Sequence, residues 1–260
     1  MIAVVGGTGT LGSAAVTELL ARGESVRIIS RNRPESVPGG ADHRAVDLAA
    51  GGGEAGPGLT EAIDGAATVI DAANNSTRPG PVMLDGSARL MAACCEAGVG
   101  HFVGVSIVGC ERVGVGYYKA KAKQEELVRA SPVPWSLLRA TQFHELLDGA
   151  FSTSAKVGFL PGGDIPLQPI AASAAGAELA AIASGPPLEG SREVAGPAMV
   201  RLREAAALWL DATGRRRLRL PVPMIGRIGR AIGDGAFTLP GEEGPGPDFR
   251  EWLAGRYGIS

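Results

Sequence analysis

Tyr117 and Lys121 stand four positions apart in "GVGYYKAKAK", residues 114–123. On a helix this spacing puts both side chains on one face, with Cβ atoms about 5–6 Å apart. A free tyrosine titrates near ~10, and an adjacent ammonium favours its phenolate. Such a pair can pass a proton to a substrate oxygen. A second reading stays open: Lys121 grips a cofactor while the tyrosine rings pack, in an amphipathic helix whose lysines are otherwise solvated. The elements that hold the two residues decide between these readings.

The chain opens with "AVVGGTGTLGSAAVTELLARG". A buried-type strand runs into Gly6, Gly7, Thr8, Gly9, Thr10, Leu11 and Gly12, and a helical pattern follows. Both G-x-x-G-x-x-G and G-x-G-x-x-G spacings are met. The early glycines permit a tight turn, Gly9 lets backbone N–H groups approach a diphosphate, and Gly12 lets the helix sit close on the strand. The helix start adds unpaired donors and a partial positive charge. This context predicts a dinucleotide site. NAD sites place an acid at the end of the second strand. Here that strand ends "VRIISRNRP", with Arg31 and Arg33 instead. An acid would repel a 2′-phosphate, whereas a guanidinium forks onto it. The cofactor predicted is therefore NADP(H). Asp47 closes the third strand in "AVDL", either as an acceptor for the adenine amine or as a plain loop acid.

Short apolar runs alternate with helical stretches. Strands are expected at Ile2–Val5, Ser25–Ser30, His43–Val46, Ala67–Ala72, His101–Ser106 and Trp135–Arg139. Helices are expected near Thr10–Arg22, Leu59–Ile63, Pro81–Ala97, Tyr117–Ala130 and Gln142–Thr153. This alternation argues for an α/β fold with a parallel sheet covered on both faces. Gly and Pro mark loops at Pro38–Gly40, Gly51–Gly58, Gly158–Gly163 and Gly241–Pro247; Gly51–Gly58 reads as long and mobile. After about Gly158 the pattern loosens into a strand near Gln168–Ile170, a helix, a short strand and second helix in "EVAGPAMVRLREAAALWLDATG", a strand in "RRLRLPVPM" and a helix near Ile225–Gly233. The expected organisation is a first domain over 1–157 and a smaller C-terminal region over 158–260.

Bulk properties narrow the function classes. The 260 residues are 45% hydrophobic with a net charge of −2. No basic surplus points to nucleic acid or an anionic membrane. The run "GRRRLR" reads as a helix end followed by an alternating strand with a solvated face. Cys94, Cys95 and Cys110 form no disulfide framework or metal spacing, and the first two read as core fillers in a helix. No uncharged stretch reaches the ~18 apolar residues of a membrane span. The N-terminus carries no charged leader, so a cytoplasmic protein is expected.

The pieces "VVGGTGTLG", "SRNRP", "VDL", "VIDAAN", "VGVSIVG", "GYYKAKAKQEELV" and "PWSLLRATQFHE" occur in this order over residues 1–149. In them the sequence resembles the atypical short-chain dehydrogenase/reductases, in particular their NmrA-like, NAD(P)H-binding branch. The resemblance implies a Rossmann-type doubly wound parallel sheet with a small C-terminal substrate lobe and an NADP(H) site. It implies that Gly6, Gly9 and Gly12 form the phosphate loop and that Arg31 meets the 2′-phosphate. It also implies that Asp47 and Leu48 flank the adenine, that Ala73 and Asn74 line the cofactor, and that Lys121 holds the nicotinamide ribose. In that superfamily the lysine lowers the tyrosine pKa, and the phenol donates a proton as hydride leaves the cofactor. Tyr117 would be that donor, with Ser106 as a second donor to the same oxygen. Gln142, Phe143 and His144 follow the sixth strand, where such folds place substrate-facing residues. "HELLD" is not H-E-x-x-H, and no G-x-S-x-G elbow is present, so neither zincin nor hydrolase chemistry is expected.

These residues predict an NADPH-dependent oxidoreductase transferring hydride to a small apolar carbonyl, enone or quinone. A non-catalytic NADP-binding redox sensor of the NmrA type is the alternative, and an epimerase or isomerase a third. The expected partner is a small-molecule substrate, with no nucleic acid, membrane or metal; oligomeric state stays open.

Overall fold

The computed structural model describes residues 1–50, 57–223 and 225–258. The loop expected at Gly51–Gly58 therefore lies, over 51–56, outside the described residues. Two compact units emerge, both discontinuous in sequence. The first comprises Met1–Ser106, Val115–Arg139 and Ala175–Arg192; the second comprises Ile107–Gly114, Ala140–Ala174 and the chain from Glu193 onward.

The first unit is built on a sheet of seven strands: β1 (Ile2–Val5), β2 (Val26–Ser30), β3 (Ala41–Ala45), β4 (Thr68–Asp71), β5 (His101–Ile107), β6 (Trp135–Ala140) and β9 (Gly190–Val194). Their order is β3-β2-β1-β4-β5-β6-β9. β1 pairs in parallel with β2 on one side and β4 on the other. β3 and β5 extend the sheet in parallel beyond them. Every residue of β1 and β4 is buried, as continuous apolar strands covered on both faces should be. The order reverses between β1 and β4, and open α/β sheets bind ligands outside the carboxyl ends of strands at such a reversal. The helices of this unit are α1 (Thr10–Ala21), α2 (Pro57–Ile63), α3 (Ser87–Glu96), α5 (Gly116–Arg129) and α7 (Ala172–Ala183). Ile29, Ile63, Val69, Leu90, Phe102, Val128 and Leu137 belong to one buried cluster.

The second unit holds α4 (Cys110–Val113), α6 (His144–Lys156), α8 (Leu202–Thr213), α9 (Gly226–Gly233) and α10 (Phe249–Tyr257). It also holds two small ribbons: β8 (Pro166–Leu167) runs antiparallel to β10 (Val200–Arg201), and β7 (Phe159–Gly162) runs parallel to β11 (Leu218–Pro221). Its core gathers Phe151, Leu160, Trp209, Phe249 and Leu253. Fully buried Trp209 gives its indole N–H to Asp148 at 2.7 Å, satisfying the one polar atom that burial would strand.

Several expectations are corrected. The helix expected over Pro81–Ala97 starts as a π-helical turn, Gly80–Gly86, before α3. The helix expected from Gln142 starts at His144, because Phe143 is extended and bridges Ile170. The loop expected at Gly158–Gly163 contains β7, whose partner lies some sixty residues on and leaves no local pattern. β11 is exposed at all four positions rather than alternating. The short strand expected in "EVAG" is the end of β9, which joins the large sheet. α10 was not expected, although Asp248 and Glu251 form a capping box at its start. Of the two cysteines expected as core fillers, Cys94 is buried in α3, where burial pushes its thiol up to about 12, whereas Cys95 is exposed. No described helix is long and apolar enough to cross a membrane.

All three histidines, His43, His101 and His144, are buried, and burial holds each below the ordinary imidazole pKa. The folded chain resists protons that the unfolded chain takes up below about 6.5. Stability is therefore present above that pH and lost as pH falls through the depressed folded values. Asp71, whose pKa burial raises, works in the opposite sense, as one group against three. Urea unfolding is expected to show a lower midpoint at pH 5.5 than at pH 7.5; an equal or higher midpoint would contradict this.

Candidate functional site

β1 delivers the chain to the reversal point, and the Gly6–Gly12 loop turns it into α1. Gly6 has φ +78°, and a Cβ there would stand 2.8 Å from the backbone of Ala72 and Ala73, just past β4. A Cβ on Gly12 would fall on the Gly6 carbonyl oxygen. Both positions are therefore closed to side chains by backbone, not by flexible neighbours. Gly7, Leu11 and Gly12 are buried, while Thr8, Gly9 and Thr10 are exposed. Gly9 is the N-cap of α1 in extended conformation and offers no side-chain cap. The first N–H groups of α1 thus lack a side-chain acceptor, and the bare backbone in front of them fits a diphosphate.

The ends of β2 and β3 form the neighbouring edge. Arg31 and Arg33 are both exposed, with their cationic ends available to an anion. Behind them Ser30 Oγ lies 3.0 Å from His43 Nε2 and donates to the Asn32 carbonyl at 2.8 Å, fixing the turn that carries both arginines. Burial and the nearby Arg33 charge keep His43 neutral-leaning. Asp47 is exposed, and its carboxylate accepts the Ala49 amide at 2.9 Å, an Asx-type turn. Leu48 is buried, and its carbonyl accepts from the buried guanidinium of Arg89, a residue the sequence reading passed over.

The other side of the reversal carries a buried polar chain. Lys121, 3% exposed, donates to the Val105 carbonyl at 2.9 Å and to Gln124 Oε1 at 3.0 Å. Gln124 Nε2 donates to Ser87 Oγ at 2.7 Å and to Asp71 Oδ2 at 3.2 Å. Ser87 Oγ donates to the same Asp71 oxygen at 2.6 Å. The other Asp71 oxygen accepts from the Ala73 amide at 3.2 Å, tying this chain to the turn that presses on Gly6. Burial raises the Asp71 pKa, opposed by the Ser87 bond and the Lys121 charge. Ala73 is half-buried, and Asn74, next along, is exposed. Asp71 and Ser87 were not singled out in the sequence. An acid ending an otherwise apolar strand, in "VIDAAN", was the available signal.

Tyr117 sits in the first turn of α5, half-buried, with its ring edge-on to Tyr118 at 5.5 Å. Ser106 is buried, and its hydroxyl is bonded to the Glu125 carboxylate. A Ser106 contact with a substrate oxygen would require that bond to be given up. In the second unit, Gln142 is half-buried; its Nε2 donates to the Phe237 carbonyl at 3.2 Å, and its Oε1 accepts from the Gln168 amide at 3.4 Å. Phe143 is half-buried, at the N-cap of α6. His144 has no exposed surface. Its Nε2 lies 3.0 Å from the Pro247 carbonyl, and its ring lies between 5 and 6 Å from Phe249 (5.4 Å) and Trp252 (5.6 Å). As placed, it pins the chain entering α10. Gly6, Gly12, Ala73 and Lys121 are thus brought to the ends of adjoining strands in one unit, while Gln142, Phe143 and His144 belong to the other. Among the described residues no cluster of His, Cys, Asp or Glu is arranged to hold a metal.

Known proteins give the comparison. The family described as NAD(P)H-binding matches residues 6–177. An uncharacterized protein of Mycobacterium tuberculosis is 34% identical over 102 residues, 39% of this chain and 11% of that protein. The chloroplastic protein TIC 62 of Pisum sativum is 30% identical over 170 residues, 54% of this chain and 32% of that protein. The chain therefore spans only a minor part of these curated relatives. Among solved structures, an NADPH-dependent quinone oxidoreductase of Escherichia coli complexed with NADPH superposes with TM-score 0.79 at 17% identity, covering 99% of this chain and 100% of that one. A triphenylmethane reductase of Citrobacter sp. gives 0.80 at 16% identity, covering 99% of each. A nucleoside-diphosphate-sugar epimerase of Staphylococcus aureus gives 0.78 at 17% identity, covering 97% and 99%. At such identities the likeness carries the fold alone.

Proposed function

The chain belongs to the NAD(P)H-binding family, and from that premise we propose that it is an NADPH-dependent oxidoreductase of the atypical short-chain, NmrA-like kind. Its substrate would be a small apolar carbonyl, enone or quinone. The observation that carries this reading is the buried Lys121 ammonium at the end of β5, with half-buried Tyr117 four residues earlier on the same helix. Gly6, Gly9 and Gly12 hold the diphosphate against the start of α1. Arg31 and Arg33 take the 2′-phosphate, and Asp47 and Leu48 border the adenine. Ala73 and Asn74 line the path to the ribose that Lys121 holds. Reduced nicotinamide, when bound, supplies a hydride. Tyr117 gives the proton that balances it at the substrate oxygen, helped by the Lys121 charge. A C-terminal region built from residues 158–260, together with Gln142 and Phe143, selects the substrate, and the chain works in the cytoplasm.

A second reading is a non-catalytic NADP sensor. It is favoured by one observation: the Ser106 hydroxyl is already bonded to the Glu125 carboxylate. NADPH oxidation against a panel of quinones, enones and ketones separates the two. The oxidoreductase reading expects turnover that Tyr117→Phe lowers by about 10²–10⁴-fold in kcat, with the KM for NADPH little changed. Absence of turnover across the panel, with NADPH bound, would favour the sensor. Full activity in Tyr117→Phe would remove the proton-donor role.

A further inference from the structure

Lys121 ends a row of buried groups. Asp71, Ser87 and Gln124 are 1%, 0% and 4% exposed, and all face one another. The chemistry of the row has a direction. An ammonium only donates and an ionised carboxylate only accepts. Gln124 lies between them with its carbonyl on Lys121 and its NH₂ on Asp71. No other orientation of that amide satisfies both neighbours. The Ser87 hydroxyl has one proton, which it spends on Asp71, so it accepts from Gln124. The carboxylate at the far end therefore dictates which atom meets the ammonium at the near end. A π-helical turn immediately before Ser87 is where such widened turns often mark functional positions.

We propose that Asp71 is a positioning residue which, by orienting Gln124, sets the Lys121 ammonium at the end of β5. That this placement serves a nucleotide ribose rests on the NADPH reading above; the placement itself does not.

Asp71→Asn keeps the volume and removes the charge. Either orientation of the new amide sets a donor against a donor, at Ala73 N–H or at Gln124. Gln124 escapes only by turning its NH₂ toward Lys121, which then loses the Gln124 carbonyl. Adding Gln124→Glu moves the carboxylate one place along the row. It can then accept from Lys121, from Ser87 and from the amide introduced at 71. The double variant is thus predicted to restore what the single one removes, a pattern that a merely structural role for Asp71 would not produce.

The test uses the full chain without cofactor. The Lys121 Nζ signal in ¹H–¹⁵N spectra, assigned by its loss in Lys121→Arg, should be slowly exchanging in the wild type. It should be lost in Asp71→Asn and regained in Asp71→Asn/Gln124→Glu. Calorimetry with NADPH should follow the same order, with about a tenfold loss of affinity in the single variant. Retention of the signal in Asp71→Asn would overturn the proposal. So would loss that the second substitution leaves unrepaired in a variant still folded by circular dichroism. The expected spectral pattern in a wild type that takes up no NADPH would support the positioning role and remove only the cofactor reading.

Discussion

Gly12→Ala is expected to weaken NADPH binding by at least about a hundredfold and to lower stability by about 1–3 kcal/mol. The added methyl has nowhere to go. It meets the Gly6 carbonyl oxygen and lies 2.8 Å from the Gly6 carbonyl carbon and 2.9 Å from Gly7 Cα. These are backbone atoms, and Gly6 is itself held by the turn at Ala72–Ala73. Either α1 lifts from β1 or the loop opens, and both movements displace the N–H donors proposed to hold the diphosphate. Gly9→Ala is the informative companion. There the methyl meets only the Gly6 oxygen at 3.3 Å, which a small shift absorbs, and it enters the open space before the helix. It should lose affinity while leaving urea unfolding close to wild type. A Gly12→Ala protein that binds NADPH normally would refute this account of the loop.

Glu125→Gln should cost about 3–5 kcal/mol of folding stability, the largest effect expected from any single charge in the first unit. Glu125 is 2% exposed on α5. Its carboxylate accepts from Arg139 Nε at 2.9 Å and Nη2 at 2.6 Å, from Arg129 Nη2 at 2.6 Å, and from Ser106. Burial alone would raise its pKa; the Arg139 and Ser106 hydrogen bonds and the Arg139 charge bring it below the ordinary range. An amide at this position takes the Glu125 charge away from the Arg139 guanidinium, which is only 17% exposed. The amide keeps one acceptor oxygen where the carboxylate offered two, so the charged cluster that joins β5, β6 and α5 is weakened. Denaturant unfolding checks the magnitude, and adding Arg139→Met should recover part of the loss. A single-variant loss under about 1 kcal/mol would mean the cluster behaves as a surface pair.

Much of the first unit was legible because its signals are local. A glycine loop between a buried strand and a helix, and arginines where an acid would discriminate against NADP, sit within a few dozen residues of each other. The buried strands β1, β4 and β5 read as apolar runs bounded by turns. What escaped reading was set by distant partners. β7 exists because β11 lies beside it, and β9 belongs to the large sheet through β6; neither fact is written near those residues. The polar row from Lys121 to Asp71 brings together three stretches separated by up to fifty residues. Its members look ordinary in isolation: an acid at a strand end, a serine in a helix and a glutamine three places after a lysine. Ser106 shows the converse limit. Its place at the end of β5 was legible, but the carboxylate that claims its hydroxyl comes from a helix nineteen residues on.

The central claim is that a nucleotide's diphosphate rests at the start of α1 and that Arg31 and Arg33 read the extra phosphate. Calorimetric titration of the purified chain with NADPH and, separately, NADH tests it most directly. The account predicts one-to-one binding of NADPH, at least about tenfold tighter than NADH, with Arg31→Glu erasing the difference. No detectable heat with either nucleotide would contradict it outright, and tighter binding of NADH would contradict the role given to the two arginines.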